Sequence, residues 1–173
     1  RTGVEWVVLC DTNGGTLPHD VFTIVSDVVS QFGGNRVGFH AHNDTGCAVA
    51  NSLAAIDAGA RQVQGTLNGL GERCGNANLC TLIPNLLLKK PYMHSLDLGR
   101  ITNNLHLLTP IARKFDDLLN RVPDAHQSYV GRSAFAHKGG LHVSGVMKDP
   151  STYEHVVPEK VGNDRILPMS DQA

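Results

Sequence analysis

The chain has 173 residues, of which 41% are apolar and 18% charged, with a formal net charge of -1. That length and apolar share suffice for a folded domain with a core, and the balanced charge argues against nucleic-acid binding through bulk positive charge and against an acidic disordered tail. No run approaches the ~18 apolar residues of a membrane span, so a soluble protein without a membrane partner is expected.

Val4 to Cys10 is a short, nearly continuous apolar run and reads as a buried parallel strand. Asp11-Thr12-Asn13-Gly14-Gly15-Thr16 follows as a polar loop. Pro18 then opens a helix, where its missing N–H costs little. Val21, Phe22, Ile24, Val25, Val28, Val29 and Phe32 recur at helical spacing, and Gly33-Gly34 ends the helix. The cycle repeats with a strand over 36–42, a loop at Asn43-Asp44-Thr45-Gly46, and an Ala-rich helix over 47–58. A third cycle places a strand at 61–66, a glycine-rich loop at 67–75, and a helix from Asn76 to Lys90. Three βα units in series predict a parallel α/β layer, with the chemistry at the C-terminal ends of the strands. The pattern does not choose between a barrel and an open sheet. Beyond Pro91, one or two helices are expected over 98–119, interrupted at Pro110. Ile101, Leu105, Leu108, Ile111 and Ala112 would form their apolar stripe. Val122-Pro123-Asp124 reads as a turn. Tyr153-Glu154-His155 and Glu159-Lys160-Val161-Gly162 read as loops, Pro168 as a further break, and the end at Ala173 as frayed.

The four cysteines, Cys10, Cys47, Cys74 and Cys80, form no CxxC pair. Reduced thiols in a cytoplasmic protein are expected, with Cys10 and Cys74 as packing residues.

His40 and His42 are the sharpest chemical feature. Residues two apart on a strand face the same side, so two imidazoles converge at a strand end. That suits a divalent metal such as Zn, Mn, Fe, Co or Ni, with Asn43 and Asp44 as outer partners. The alternative is one core histidine and one loop histidine. Gly69-Leu70-Gly71-Glu72-Arg73-Cys74-Gly75-Asn76 lies between a strand and a helix, where backbone N–H groups can receive an anion. It matches neither a P-loop nor a dinucleotide fingerprint. Glu72 and Arg73 alternatively pair on the surface. His142, with Tyr153 beyond it, offers a proton carrier and a hydrogen-bond donor. Surface histidines are the alternative there.

Phe39-His40-Ala41-His42-Asn43-Asp44-Thr45-Gly46, followed by Asn68-Gly69-Leu70-Gly71-Glu72-Arg73-Cys74-Gly75-Asn76-Ala77, resembles the paired signature of the 2-isopropylmalate, homocitrate and citramalate synthase family. The resemblance covers essentially the whole chain. Asn13 and Gly15 stand where isopropylmalate synthases tend to carry Val and Tyr, which is more similar to the citramalate branch. The resemblance implies the C-terminal portion of a TIM (β/α)8 barrel, strands six to eight over residues 1–90. A helical linker and small helical subdomain would follow over 91–173. It implies His40, His42 and Asn76 as metal ligands, with an Asp from the first barrel strand having no counterpart here. It implies His142 and Tyr153 as catalytic residues, and Thr66, Asn13, Glu72 and Gly71 at the substrate. The implied reaction is a Claisen-type condensation of acetyl-CoA with a 2-keto acid, most simply pyruvate, assisted by Mn, Mg, Co or Zn. The implied assembly is a homodimer. A 2-isopropylmalate or homocitrate synthase, a related C–C lyase and a non-catalytic dimerising piece are the alternatives. A complete barrel needs roughly 250 residues. Together with Arg1 in first place, this reads as a chain starting partway through a longer protein.

Overall fold

A computed structural model of the chain describes residues 3–93 and 96–167. Pro168 and the terminus at Ala173 lie outside the described residues. The chain divides into two compact units, Arg1–Leu82 and Ile83–Ala173.

The first unit is a three-stranded parallel sheet in the order β1 (Val7–Asp11), β2 (Val37–Ala41), β3 (Gln62–Gln64). Val7 pairs with Val37 and Asp11 with Ala41, while Gly38 to His40 of β2 pair with β3. Strand β1 therefore begins at Val7 rather than Val4, because β2 offers no partner before Val37. Between the strands run α1 (Pro18–Phe32) and α2 (Ala48–Asp57). Pro18 occupies the first turn of α1 and Asp20 faces its positive end. The core sets Val21 and Val25 of α1 against Val37, Phe39 and Ala41 of β2 and Ala48 and Ala55 of α2. Only one side of α1 is used. Phe22, Ile24 and Phe32, expected in the apolar stripe, are 44%, 49% and 53% exposed.

Helix α3 (Leu79–Leu88) starts three residues later than the spacing predicts. The residues before it are held extended, since Asn76 N–H donates to Gly69 O (3.1 Å) and Ala77 N–H to Ala41 O (3.1 Å). The expected packing role of Cys10 and Cys74 fails. Both are exposed, one on the edge strand β1 and one in the glycine-rich loop, whereas Cys80 is buried.

The second unit contains α4 (Arg100–Asn103), α5 (Leu108–Leu118) and α6 (Gly140–Lys148), with a 3-10 turn between α4 and α5 and two more after α6. Pro110 does not interrupt a helix. It sits in the first turn of α5, where its missing N–H has no intrahelical acceptor to lose, and the break falls at Asn104–Leu107 instead. Leu105, Leu108 and Ala112 are buried as predicted, but Ile101 and Ile111 are 44% and 46% exposed. Glu159, Lys160 and Val161, expected in a loop, lie in a 3-10 turn over Pro158–Val161, and Val161 is fully buried. The turn expected at Val122-Pro123-Asp124 is irregular backbone, and turns begin at Ala125.

Two polar residues tie this unit together from inside. The buried Thr109 hydroxyl donates to Val161 O at 2.7 Å. The buried Asn163 amide donates to Tyr129 O (2.8 Å) and Gly131 O (2.9 Å). Tyr129 in turn donates its hydroxyl to Asn85 Oδ1 at 2.7 Å, and burial pushes its phenol up to about 12. Thr109→Val keeps the shape and leaves the Val161 carbonyl without a donor. It is expected to cost about 1–3 kcal/mol, measured as a lowered urea midpoint with an unchanged m-value.

Candidate functional site

Three loops leave the C-terminal edge of the sheet, after β1, β2 and β3. The His40 and His42 rings lie 5.2 Å apart, centroid to centroid, at 70°. Their convergence follows from the two-residue period of the strand that carries them. His42 forms an isolated antiparallel bridge with Asn76, and Asn43 N–H donates to Gly75 O at 2.9 Å. The glycine-rich loop thus delivers Asn76 to the histidine pair. Gly71 makes room for it, since a Cβ there would lie 2.8 Å from Asn76 Nδ2.

The buried side-chain atoms of these three residues share one property. His40 Nδ1, His42 Nδ1 and Asn76 Oδ1 have no hydrogen-bond partner. An orphaned buried polar atom costs about 1–3 kcal/mol, so three at one strand end ask for an explanation. Neutral imidazole nitrogen and amide oxygen are donors that a divalent cation accepts, so the residue types fit a metal. Asn51 Oδ1 is a fourth such atom, placed on α2. No group of three or more His, Cys, Asp or Glu suited to a metal occurs among the described residues.

The alternative in which Arg73 pairs with Glu72 gives way to another partner, and Asp44, expected as an outer partner of the histidines, has both carboxylate oxygens engaged by Arg73. Arg73 Nε and Nη2 donate to the two oxygens of Asp44 at 2.8 and 2.9 Å, and Nη2 also donates to Thr12 O at 2.9 Å. The guanidinium holds the Asp44 carboxyl below its ordinary range. Asn43 is likewise occupied, its Oδ1 accepting Ala48 N–H at the start of α2 (3.1 Å). The β1 loop is fixed from its own side. Asp11 accepts the Thr16 hydroxyl at 2.9 Å, and Thr45 donates its N–H (3.2 Å) and hydroxyl (2.9 Å) to Gly14 O. These loops border an open cleft of about 830 Å³ whose lining includes Asp11, Asn13, Asp44 and Arg73.

The remaining substrate candidates are placed as follows. Asn13 is exposed in this cleft, with its Oδ1 accepting Gly15 N–H at 2.9 Å. Glu72 is exposed at the loop tip, and its carbonyl accepts Gly75 N–H at 2.9 Å. Thr66 is half-buried, and its hydroxyl donates to Leu70 O at 2.5 Å, so that proton is already committed.

His142 and Tyr153 belong to the second unit, His142 on α6 and Tyr153 just after the turn Pro150–Thr152. Their rings lie 4.4 Å apart at 31°. Beside them Glu154, 7% exposed, accepts from Arg165 Nε and Nη2 at 2.7 and 2.6 Å, and His137 Nε2 lies 3.2 Å from its Oε1. The Arg165 hydrogen bonds, with help from His137, hold the Glu154 carboxyl below its usual range against the opposing effect of burial. Sequence reasoning read Glu154 as a loop residue and passed over Arg165. A lone Glu and a lone Arg eleven residues apart carry no spacing signal.

Gly14 adopts φ +67°, and a Cβ there would lie 2.8 Å from Asp44 N. Gly14→Ala is expected to part the first two loops at a cost of about 1–2 kcal/mol, read as roughly tenfold faster hydrogen exchange at the Thr45 amide. Unchanged exchange would contradict the packing. A carboxyl whose folded value lies below its ordinary 4.5 stabilises the fold above that pH, and the contribution is lost as pH falls through the lowered value. Urea stability should therefore drop more steeply below about pH 4.5 in the parent than in Glu154→Gln.

An HMGL-like family model matches residues 1–108, and a homocitrate synthase post-HMGL domain-like model matches residues 129–172. The whole chain is 53% identical to an (R)-citramalate synthase of Synechocystis sp. and 54% identical to that of Aquifex aeolicus. Over 95% of its length it is 38% identical to a 2-isopropylmalate synthase of Campylobacter concisus. In each case it covers 32% of the relative, so the chain spans about a third of the length of these curated relatives. An HMG-CoA lyase from A. baumannii, solved with coenzyme A and 3-methylmalate, superposes with a TM-score of 0.57 at 30% identity, covering 69% of this chain and 38% of that one. A hydroxymethylglutaryl-CoA lyase from Pseudomonas aeruginosa, 23% identical, shares the fold with a TM-score of 0.56 over 76% of this chain and 41% of that one. With a family model matching residues 1–108 of the 173, the chain belongs to the HMGL-like family.

Proposed function

We propose that the chain is part of an acyl-CoA:2-keto-acid synthase of the (R)-citramalate kind, joining acetyl-CoA to pyruvate. The observation that carries this reading is the trio of unpartnered buried atoms on His40, His42 and Asn76, which are the residues the family signature singles out. The 46–54% identity to five (R)-citramalate synthases supports the choice of branch.

In this reading His40, His42 and Asn76 hold a divalent cation, Mn, Mg, Co or Zn, together with groups from elsewhere in the longer enzyme. When bound, the cation supplies Lewis-acid polarisation of the keto group. Gly71 leaves the space in which the Asn76 amide turns toward the histidines. Asn13 and Thr66 flank the keto acid, and Glu72 stands at the mouth of the site. The Asn13-Gly14-Gly15 loop admits a small keto-acid side chain at the cleft. His142 moves a proton at its imidazole, either from the acetyl methyl group or from the water that cleaves the thioester. The Tyr153 hydroxyl donates to the oxygen that gains charge as the new C–C bond forms.

The sheet is read as strands six to eight of a barrel with a small helical subdomain after it, and two fold features support the partial sheet. Strands β1 and β3 each have one strand neighbour among the described residues, and α1 carries apolar side chains on a second face. A helix apolar on more than one side is normally covered by further structure. The enzyme is read as a cytoplasmic homodimer. No described helix is long and apolar enough to cross a membrane.

CoA release by the full-length enzyme decides the substrate. Pyruvate is expected to be consumed in preference to 2-ketoisovalerate; turnover of 2-ketoisovalerate with pyruvate ignored refutes the citramalate assignment. Calorimetric titration with Mn tests the cation site. His42→Ala is expected to weaken binding by at least about 10–100-fold, the range that loss of an outer partner alone produces.

A further inference from the structure

We propose that Glu154 is a positioning residue for the His142–Tyr153 pair; the functional part of this inference rests on the reading that those two residues serve catalysis. The pair cannot hold itself. Tyr153 is 46% exposed and His142 is exposed, and an aromatic contact of this kind is worth only about 0.5–1.5 kcal/mol. An exposed tyrosine ring on a free backbone would sample several rotamers.

The backbone is not free. Tyr153 and Glu154 both donate their N–H to Pro150 O, at 3.2 and 2.9 Å. The turn itself is capped by Asp149, whose carboxylate accepts the Ser151 N–H at 2.9 Å. The next side chain, Glu154, is 2% exposed and reaches inward. There it meets Arg165 through two hydrogen bonds and His137 through one. Those partners come from two segments that pair with each other. Ala136 bridges Ile166, with His137 N–H donating to Ile166 O and Ile166 N–H to Phe135 O, both at 3.0 Å.

A buried carboxylate with three charge-assisted or polar contacts is an expensive group to displace. It therefore fixes the position from which the neighbouring Tyr153 projects. Tyr153 then lies across α6 at Gly145, where a Cβ would stand 3.0 Å from its Cδ2, and reaches His142 one turn earlier. The His137 ring closes the arrangement at 6.5 Å from Tyr153. Sequence neighbours thus divide the work: Glu154 faces in and anchors, Tyr153 faces out and contacts His142.

The test is Glu154→Gln, which preserves size but turns one oxygen into a donor facing donors. In this chain, NMR cross-relaxation between the His142 and Tyr153 rings is expected to disappear. In a full-length enzyme carrying the chain, kcat is expected to fall about 10- to 100-fold with the keto-acid KM unchanged. A merely structural role would lower the unfolding midpoint while the folded fraction kept the ring contact and its kcat; retention of either overturns the proposal. Should Glu154→Gln fail to fold, His137→Gln leaves both Arg165 bonds in place. Loss of the ring contact there supports the proposal, and full retention overturns it. His142→Ala and Tyr153→Phe separate the two ideas. If both leave kcat intact, the catalytic reading fails. If both lower it and Glu154→Gln does not, only the positioning role fails.

Discussion

Arg73 holds the sheet's functional edge together. Its guanidinium is bonded at once to a carboxylate that follows β2 and to a carbonyl that follows β1, while Arg73 itself belongs to the loop that follows β3. Parallel strands leave their loops unconnected by hairpins, so side chains must supply the ties. Arg73 reaches them from a positive φ of 54°, a conformation a non-glycine residue adopts only when its surroundings favour it. The same loop then carries Asn76 to His42. An exposed ion pair is worth little in stability by itself. Its importance here is geometric, because the histidines, the amide and the cleft all depend on where these loops stop.

The sequence was most legible where periodicity and punctuation agreed. Pro18, Gly33 and the apolar runs located the first two strands and helices to within a few residues, because the physics that writes those signals is local. The paired histidines were legible for the same reason: a period of two needs no tertiary information. Helix α3 starts later than its spacing predicts because the Asn76 and Ala77 amides are claimed by carbonyls of Gly69 and Ala41, which are distant in sequence or hidden in a loop. Spacing offered Arg73 only its sequence neighbour Glu72 as an alternative partner, while its actual partner stands 29 residues away. Pro110 was read as a breaker when it stood in a first turn, where it is harmless.

Burial followed the same division. Val21 and Val25 are fully packed while Phe22 and Phe32, in the same apolar pattern, are half exposed. A hydrophobic pattern reports every surface that a helix covers, including surfaces met only in a larger body. Four buried polar anchors in the second unit, Thr109, Tyr129, Glu154 and Asn163, escaped notice because a buried polar residue looks in sequence like a solvated one. Their partners, Val161, Asn85, Arg165 and Gly131, come from segments that periodicity treats separately.

The bridge between Ala136 and Ile166 also sets an order of events during synthesis. Residues 135–137 leave the ribosome some thirty residues before their partners, and the His137 and Ile166 amides cannot both be satisfied until the later segment returns. Until Arg165 arrives, Glu154 has no guanidinium to compensate its charge and is better left in water. The three described strands of the first unit pair by Gln64 and its last loop bonds by Asn78, so these contacts can form earlier on the nascent chain. Closure around Glu154 therefore waits for residues 165–166, which supply its guanidinium and the bridge to Ala136.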